Sequence, residues 1–117
     1  MDDHILDRLY KILLARKNAH GEKSYVASLY EKGTNKIAEK ILEEAQEFIV
    51  EARQIDSAKN NETLQKNIRS EAADLLFHMM VMLAHHDVPL TDVFDILERR
   101  FGVSGHDEKA SRRTHTP

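Results

Sequence analysis

Acidic side chains stand at helical spacing in two separate stretches of the sequence. The first stretch, LEEAQEFIVEA at residues 42–52, contains four glutamates, Glu43, Glu44, Glu47 and Glu51. Taken alone, such a helix is most often amphipathic with its acids in solvent, and Lys40 would form a weak pair with Glu44. The alternative is that Glu44 and Glu47, which are neighbours on one stripe, bind a metal ion. Glu51 is expected to be a solvated acid.

The second stretch, SEAADLLFHMMVMLA, has apolar residues on every side of the helix that its spacing predicts. A helix that is apolar all round is expected to be buried. Glu71 and Asp74 stand within this helix, and a buried carboxylate must be paired, protonated or bound to a metal. A buried ion pair with a base from another helix is the alternative that the sequence leaves open.

The two acidic pairs predict a single site if the two helices are antiparallel neighbours. Glu44 and Glu47 would then face Glu71 and Asp74, and four carboxylates gathered in one groove would repel each other without a cation. Carboxylate oxygens favour Mg²⁺ or Mn²⁺, and Mg²⁺ keeps positions for phosphate oxygens. A di-iron site is the rival, but it requires E-x-x-H pairs, whereas His78 follows Asp74 by four residues. His78 is therefore expected to be a core or supporting histidine.

Few glycines and prolines interrupt the helical periodicity, which predicts an all-α protein with a four-helix-type bundle. The predicted helices span residues 3–18, 36–56, from 61 or 63 to 86, and from 91 to about 102, with at most one further turn at 26–30. Their predicted N-caps are Thr34 or Asn35, Asn61 or Thr63, and Thr91. The predicted apolar faces include Ile5, Leu9, Ile12 and Leu13 on the first helix, and Leu42 and Ile49 on the second. His85 and His86 are expected to stabilise the negative end of the third.

Composition limits the class of protein further. The chain of 117 residues predicts one domain, 1–117, with an irregular tail over about 102–117. Its net charge of −3, with acids and bases interspersed, lacks the basic footprint of a nucleic-acid binder. The start of the chain lacks a secretory signal, no apolar run approaches the roughly 18 residues of a membrane span, and cysteine is absent. A cytoplasmic protein without nucleic-acid or membrane partners is expected.

Three stretches of the sequence resemble one enzyme family. They are SYVASLYEKGTNKIAEKILEEAQEFIVEA, SEAADLLFHMMVML and LERRFGVSGHDEKASRR. The signature E-E-x-x-E followed by E-x-x-D is typical of the all-α, MazG-like nucleoside triphosphate pyrophosphohydrolases, and it is matched by Glu43, Glu44, Glu47, Glu71 and Asp74. The S-Y-[TV]-A-x-L, E-A-A-D-L-L-[YF]-H and R-R-x-G-x-S-G-x-x-E-K-x-x-R motifs narrow the resemblance to the phosphoribosyl-ATP pyrophosphohydrolases of histidine biosynthesis. Leu42 replaces a usual glycine and Glu51 a usual small residue of that family.

The resemblance implies hydrolysis of phosphoribosyl-ATP to phosphoribosyl-AMP and pyrophosphate, with Mg²⁺, or Mn²⁺ as the alternative, as cofactor. The metal ligands that it implies are Glu44, Glu47, Glu71 and Asp74. Glu43 or Glu47 is the candidate proton acceptor. The candidate substrate contacts are Ser24, Tyr25, Lys40, Lys109 and Arg112. Solvation of Lys40, and loop packing of Ser24 and Tyr25, are the alternatives for these contacts.

The same resemblance implies a homodimer, which would also cover the apolar third helix, with the acidic site near the interface. In many organisms this domain is fused to phosphoribosyl-AMP cyclohydrolase, and the chain length predicts the stand-alone form. Two other functions remain open. One is a related pyrophosphohydrolase that acts on another nucleoside triphosphate, and the other is a non-enzymatic helical interaction module.

Overall fold

The computed structural model describes residues 4–17, 24–58 and 60–102. As predicted, this part of the chain is all-α and contains no strand. Its helices are α1 (Ile5–Lys17), α2 (Tyr25–Lys32), α3 (Thr34–Ser57), α4 (Glu62–His85) and α5 (Leu90–Phe101). None of these helices combines the length and the apolar character that a membrane span requires. Lys109, Arg112 and most of the predicted tail lie outside the described residues.

The helices belong to two compact units that divide after Asp87. In the first unit α3 packs along α4, while α1 contacts α4 and α2, and α2 contacts α3. The second unit contains α5, which begins after Pro89 as its N-cap and ends at Gly102. The cap prediction at Thr91 is therefore wrong by two residues. The assignment of the whole chain to one domain stays a prediction.

Two side-chain caps fix the starts of α2 and α4. The Ser24 hydroxyl accepts a hydrogen bond from the Ala27 backbone N–H at 3.0 Å. This bond satisfies one of the amide groups that a helix start leaves unpaired, and α2 extends over eight residues where a single turn was predicted. The Asn61 side chain accepts a bond from the Leu64 N–H at 3.1 Å, which confirms Asn61 as a cap.

A single residue, Gly33, joins α2 to α3. It is the C-cap of one helix and the N-cap of the other, so the predicted caps Thr34 and Asn35 are wrong. Its φ of +89° with ψ of −171° lies in a region that glycine alone readily adopts. The Gly33 N–H bonds the Leu29 carbonyl at 2.9 Å and so completes the last turn of α2. Thr34 instead bonds His86 at 3.0 Å through its hydroxyl, which ties the start of α3 to the end of α4.

The core of the first unit lies where its four helices meet, with Leu13, Leu29, Ile37 and Val81 fully buried. In α1 the buried residues are Tyr10 and Leu13, whereas Ile5 and Ile12 of the predicted face are exposed.

The buried face of α3 is rotated from the predicted one. Ile37 and Glu44 are its buried residues, and seven residues separate them, so their directions differ by only about 20°. Leu42, in contrast, is 71% exposed, and Ile49 is also exposed. Glu44 therefore lies within the packed face of the helix and not at its edge.

The prediction that α4 is buried all round is wrong for this single chain. His78, Met80, Val81 and Ala84 are buried, but Leu76 and Met79 are about half exposed. One side of α4 packs against α1 and α3, and the side with Leu76 and Met79 stays open to solvent.

Lys17 stabilises the C-terminal end of α4. Its ammonium donates to the Ala84 carbonyl at 2.8 Å and to the His85 carbonyl at 3.2 Å, and it pairs with Asp87 at 2.7 Å. A cation at this position satisfies carbonyls that have no partner within the helix. Burial, followed by the charge of His86, lowers the pKa of His85, which makes His85 a poor cation. Lys17 thus takes the role that was expected of the two histidines.

Candidate metal centre

Three of the predicted acids meet in the groove between α3 and α4. One carboxylate oxygen from each of Glu44, Glu47 and Glu71 lies within 4.8 Å of the other two. The start of α3 touches the end of α4 through Thr34 and His86, so the two helices run antiparallel, which is the condition on which the prediction of a single site depended. This orientation brings acids that are far apart in the sequence to the same level of the groove.

Two oxygens of the cluster are buried without a partner. Glu44 is only 9% exposed. Its Oε1 atom and that of Glu71 have no hydrogen-bond partner among the described residues. A buried polar atom without a partner is costly, and a carboxylate oxygen beside other carboxylates can be satisfied by a proton, a water molecule or a cation. Of these, only a proton or a cation also offsets the repulsion between the carboxylates.

The proton affinities of the cluster show the repulsion between its members. The pKa of Glu71 is raised, first because protonated Glu71 can donate a hydrogen bond to Glu44 and second because of burial. The pKa of Glu47 is raised, first because it can donate to Glu71 and second because the charge of Glu71 opposes its own. Both raised pKa values indicate that the carboxylates do not all ionise easily unless a cation offsets their negative charge.

The donor set of the cluster fits a hard divalent cation. All three side chains offer carboxylate oxygens, which suit Mg²⁺ or Mn²⁺ better than zinc or copper. His78 is buried in α4 and is absent from the cluster. This agrees with the expectation that His78 belongs to the core.

Glu47 and Glu71 of the cluster line an open groove of about 520 Å³. The groove is lined by Glu43, Gln46, Glu47, Val50, Glu51 and Glu71. Glu51 is half-buried, and its Oε1 atom is buried without a hydrogen-bond partner in the described ranges. The expectation that Glu51 is a solvated acid is therefore wrong. A groove of this size with acids along one wall can admit a polyphosphate only if cations offset the negative charge.

Asp74 is not brought into the cluster. The residue is exposed, so its predicted burial is wrong. The structure thus gathers three of the four predicted metal ligands, and the role of Asp74 as a ligand stays a prediction.

Glu43 pairs with Lys40 at the mouth of the groove. The Lys40 ammonium lies 2.7 Å from Glu43 Oε1. The pKa of Glu43 is lowered, first by this hydrogen bond and then by the charge of Lys40. The same bond raises the pKa of Lys40. The expected pair of Lys40 with Glu44 is wrong, because Glu44 turns into the packed face of α3.

Tyr25, in the first turn of α2, contacts two residues of α4. Its hydroxyl lies 2.7 Å from His78 Nε2 on α4, and its ring stacks on Phe77 with centroids 6.4 Å apart. Ser24 beside it caps α2, so its hydroxyl already has one hydrogen bond. The sequence did not indicate His78 and Phe77 as partners of Tyr25, since no local pattern links residues 53 positions apart.

The fold and the site together define an all-α protein with a carboxylate-lined groove suited to a divalent cation. Residues 6–101 match the family model of phosphoribosyl-ATP pyrophosphohydrolase. The chain is 47% identical over 112 residues to the phosphoribosyl-ATP pyrophosphatase of Hydrogenovibrio crunogenus, with 96% of each chain covered. It is 47% identical over 110 residues to that of Geobacter sulfurreducens, with 94% of each covered, and 43% identical over 112 residues to that of Pelobacter propionicus, with 96% of each covered. The chain belongs to the phosphoribosyl-ATP pyrophosphohydrolase family.

Proposed function

We propose that this protein hydrolyses the α–β phosphoanhydride of phosphoribosyl-ATP, giving phosphoribosyl-AMP and pyrophosphate, as the second step of histidine biosynthesis in the cytoplasm. The observation that carries the proposal is the cluster of Glu44, Glu47 and Glu71 beside an open groove, in which one oxygen each of Glu44 and Glu71 is buried without a partner. The names of relatives that match nearly the whole chain support the same substrate.

Glu44, Glu47 and Glu71 would hold Mg²⁺, or Mn²⁺ in its place, and Asp74 is the proposed fourth ligand. A bound divalent cation supplies charge neutralisation for the triphosphate and polarises its phosphate oxygens. The three clustered carboxylates keep the site anionic, so it discriminates against substrates that arrive without a cation.

Glu47 is the preferred proton acceptor for the attacking water. The ion pair with Lys40 lowers the pKa of Glu43, which makes Glu43 the weaker base of the two candidates. The pKa of Glu47 is shifted in the opposite direction. A carboxylate has two oxygens, so Glu47 can give one to the cation and keep the other for the proton.

Lys40 is proposed to contact a phosphate oxygen. Its ammonium has three donors, and the bond to Glu43 uses one of them. Its partner Glu43 lines the groove, so the Lys40 ammonium, 2.7 Å from Glu43 Oε1, lies next to the groove. Ser24 and Tyr25 are proposed to face the sugar or a phosphate, and Lys109 and Arg112, outside the described residues, to bind the phosphoribosyl end or the partner subunit.

A homodimer is proposed because apolar side chains of α3 and α4 remain uncovered in the single chain. These side chains are Leu42, Ile49, Leu76 and Met79, all exposed. A second copy of the chain would bury them and place the acidic groove near the interface. Light scattering at micromolar concentration should give twice the 13.5 kDa mass of one chain, and a monomer would contradict the proposal.

Pyrophosphate release separates this function from its alternatives. Purified protein with Mg²⁺ is incubated separately with phosphoribosyl-ATP, ATP and dUTP, and we expect release from phosphoribosyl-ATP far above the other two. Preference for dUTP would favour a related pyrophosphohydrolase with another substrate. No release from any of the three would leave a non-enzymatic helical module as the better description.

A further inference from the structure

Tyr25, His78 and the main chain of α4 form a hydrogen-bonded series that the roles above do not explain. The Tyr25 hydroxyl lies 2.7 Å from His78 Nε2, and His78 Nδ1 lies 2.9 Å from the carbonyl oxygen of Asp74. His78 is 5% exposed, whereas Tyr25 is 50% exposed. The series therefore connects a buried imidazole to a hydroxyl that a ligand can reach.

The chemistry of the three groups fixes the direction of both hydrogen bonds. A carbonyl oxygen can only accept, so His78 Nδ1 carries the proton that bonds Asp74. In the neutral imidazole Nε2 is then an acceptor, and the Tyr25 hydroxyl donates to it. The tyrosine oxygen keeps a lone pair but has no second proton to give. It can thus accept a bond from a hydroxyl group, but it cannot donate one to a phosphate oxygen.

Ring contacts hold this arrangement in place. The Tyr25 ring is nearly parallel to that of Phe77, at an interplanar angle of 19°. The His78 ring stands edge-on to both, at 89° to Tyr25 and 85° to Phe77. Such offset and edge-to-face contacts favour one orientation of each ring. The direction of the free lone pair on Tyr25 is therefore set by α4 as well as by α2.

Tyr25 also lies close to the charged groups of α3. Burial raises the pKa of Tyr25, the charge of Lys40 lowers it, and the charges of Glu44 and Glu43 raise it again. The hydroxyl is thus protonated at neutral pH and feels the charges of two acids on α3, one of which, Glu44, belongs to the cluster. In phosphoribosyl-ATP the triphosphate is attached directly to the adenosine ribose, so this sugar is the one closest to a triphosphate held at the cluster.

We infer that His78 is a positioning residue that holds Tyr25 as a hydrogen-bond acceptor for a hydroxyl of the adenosine ribose. The inference rests on the proposed function, since that ribose belongs to phosphoribosyl-ATP. It narrows the proposed role of Tyr25 from sugar or phosphate to the sugar alone.

Kinetics on normal and deoxy substrates test the inference. Removal of the hydroxyl in Tyr25→Phe should raise KM for phosphoribosyl-ATP about 3- to 10-fold with kcat nearly unchanged, as expected for one lost ground-state hydrogen bond. His78→Leu should have a similar effect, and the double variant should be no worse than either single one. One of two modified substrates, lacking either the 2′- or the 3′-hydroxyl of the adenosine ribose, should raise the KM of the wild type by the same factor. That substrate should leave the KM of Tyr25→Phe unchanged. The inference would be overturned if the KM increases of Tyr25→Phe and His78→Leu multiplied in the double variant. It would also be overturned if either deoxy substrate raised the KM of Tyr25→Phe as much as it raises that of the wild type.

Two further variants separate positioning from a general structural role. Tyr30 lies on the same helix, but its hydroxyl donates to the Leu13 carbonyl at 2.7 Å. Tyr30→Phe is therefore the matched control and should leave KM unchanged. His78→Gln retains an acceptor oxygen and should recover part of the KM that His78→Leu loses. Equal losses in the glutamine and leucine variants would contradict positioning through a hydrogen bond.

The nitrogen NMR spectrum of the histidine ring tests the bond directions without any substrate. At a pH where imidazole is neutral, His78 should carry its proton on Nδ1 and show an unprotonated Nε2. A proton on Nε2 would overturn the inference whatever the kinetics show. If the wild type fails to hydrolyse phosphoribosyl-ATP, the proposed function fails, while this spectrum still decides whether Tyr25 can act only as an acceptor.

Discussion

The effect of Glu44→Gln on stability follows from the distance between carboxylates in the cation-free cluster. Oxygens of Glu44 and Glu71 lie within 4.8 Å of each other. Two full charges at this distance repel by about 3.5 kcal/mol at an effective dielectric constant of about 20. Because Glu71 is only half-buried, solvent screening reduces the repulsion to about 1–2 kcal/mol. Glu44→Gln should therefore raise the free energy of unfolding of the cation-free protein by about 1–2 kcal/mol at about pH 8.

The pH dependence of this gain has a definite sign. Hydrogen bonding to Glu44 is the first cause that raises the pKa of Glu71, so the folded protein holds this proton more tightly than the unfolded chain. The stability from that proton is fully present below the ordinary pKa of 4.5 and is lost as the pH rises through the raised pKa. In Glu44→Gln the main cause of the raised Glu71 pKa is absent, so this variant loses less stability than the wild type as the pH rises. The advantage of the variant should thus grow between about pH 5 and about pH 8.

Mg²⁺ should reverse the order of the two proteins. Binding to the folded state alone stabilises the wild type by about 2.7 kcal/mol at a concentration of about 100 times Kd. Glu44→Gln should gain much less, because its amide cannot replace an anionic ligand. Urea unfolding followed by circular dichroism, with Mg²⁺ or with a chelator, measures both differences.

Glu39→Gln provides the matched control for this comparison. Glu39 lies on the same helix, but its side chain is exposed and pairs with Lys36 at 2.9 Å. Its replacement should leave the Mg²⁺ shift intact. A Glu44→Gln variant that is less stable than the wild type in chelator, yet keeps the full Mg²⁺ shift, would refute the proposed cation site.

Three further outcomes are expected. Asp74→Asn should reduce pyrophosphate release by at least about 100-fold with helicity nearly intact, since a ligating carboxylate is lost; an active variant would remove Asp74 from the site. Lys17→Met leaves the terminal carbonyls of Ala84 and His85 without their ammonium donor and should lower the free energy of unfolding by about 1–3 kcal/mol in urea. Burial, followed by Tyr10, raises the pKa of Tyr30 to about 12, so an ultraviolet titration should show this hydroxyl ionising well above 10.0. Because the folded pKa exceeds the unfolded value, stability should fall as the pH rises through that range.

Helical spacing predicted the three clustered glutamates, because their positions depend only on α3 and its antiparallel neighbour α4. Glu44 and Glu47 share a stripe because they are three residues apart, and the short connection to α4 brings Glu71 to the same level of the groove. The fold class and the extents of α3 and α4 followed from the same periodicity. Local rules suffice for these features because each one is set by neighbours within one or two turns.

Other features depend on how the helices rotate against each other, which spacing does not fix. Asp74 shares the three-residue spacing of the glutamate pair, yet it is exposed and lies outside the cluster. Leu42 belongs to an apolar arc of α3 but is exposed, because the packed face centres on Ile37 and Glu44. Lys17 reaches the end of α4 across 67 positions through a flexible side chain. No local pattern indicates such contacts.

The backbone angles of Gly33 determine the orientation of α2 relative to α3, and with it the position of Tyr25. One residue carries the whole change of direction between α2 and α3, and an added Cβ at this residue would meet no atom within 4 Å. The obstacle to substitution is therefore the dihedral angle and not the space. The eight residues of α2 form a helix about 12 Å long, with Tyr25 at the end away from Gly33. A change of about 10° at Gly33 would move Tyr25 by about 2 Å, which is more than its hydrogen bond to His78 tolerates. The backbone angles of this one glycine therefore determine, together with the ring contacts on α4, whether Tyr25 can reach His78.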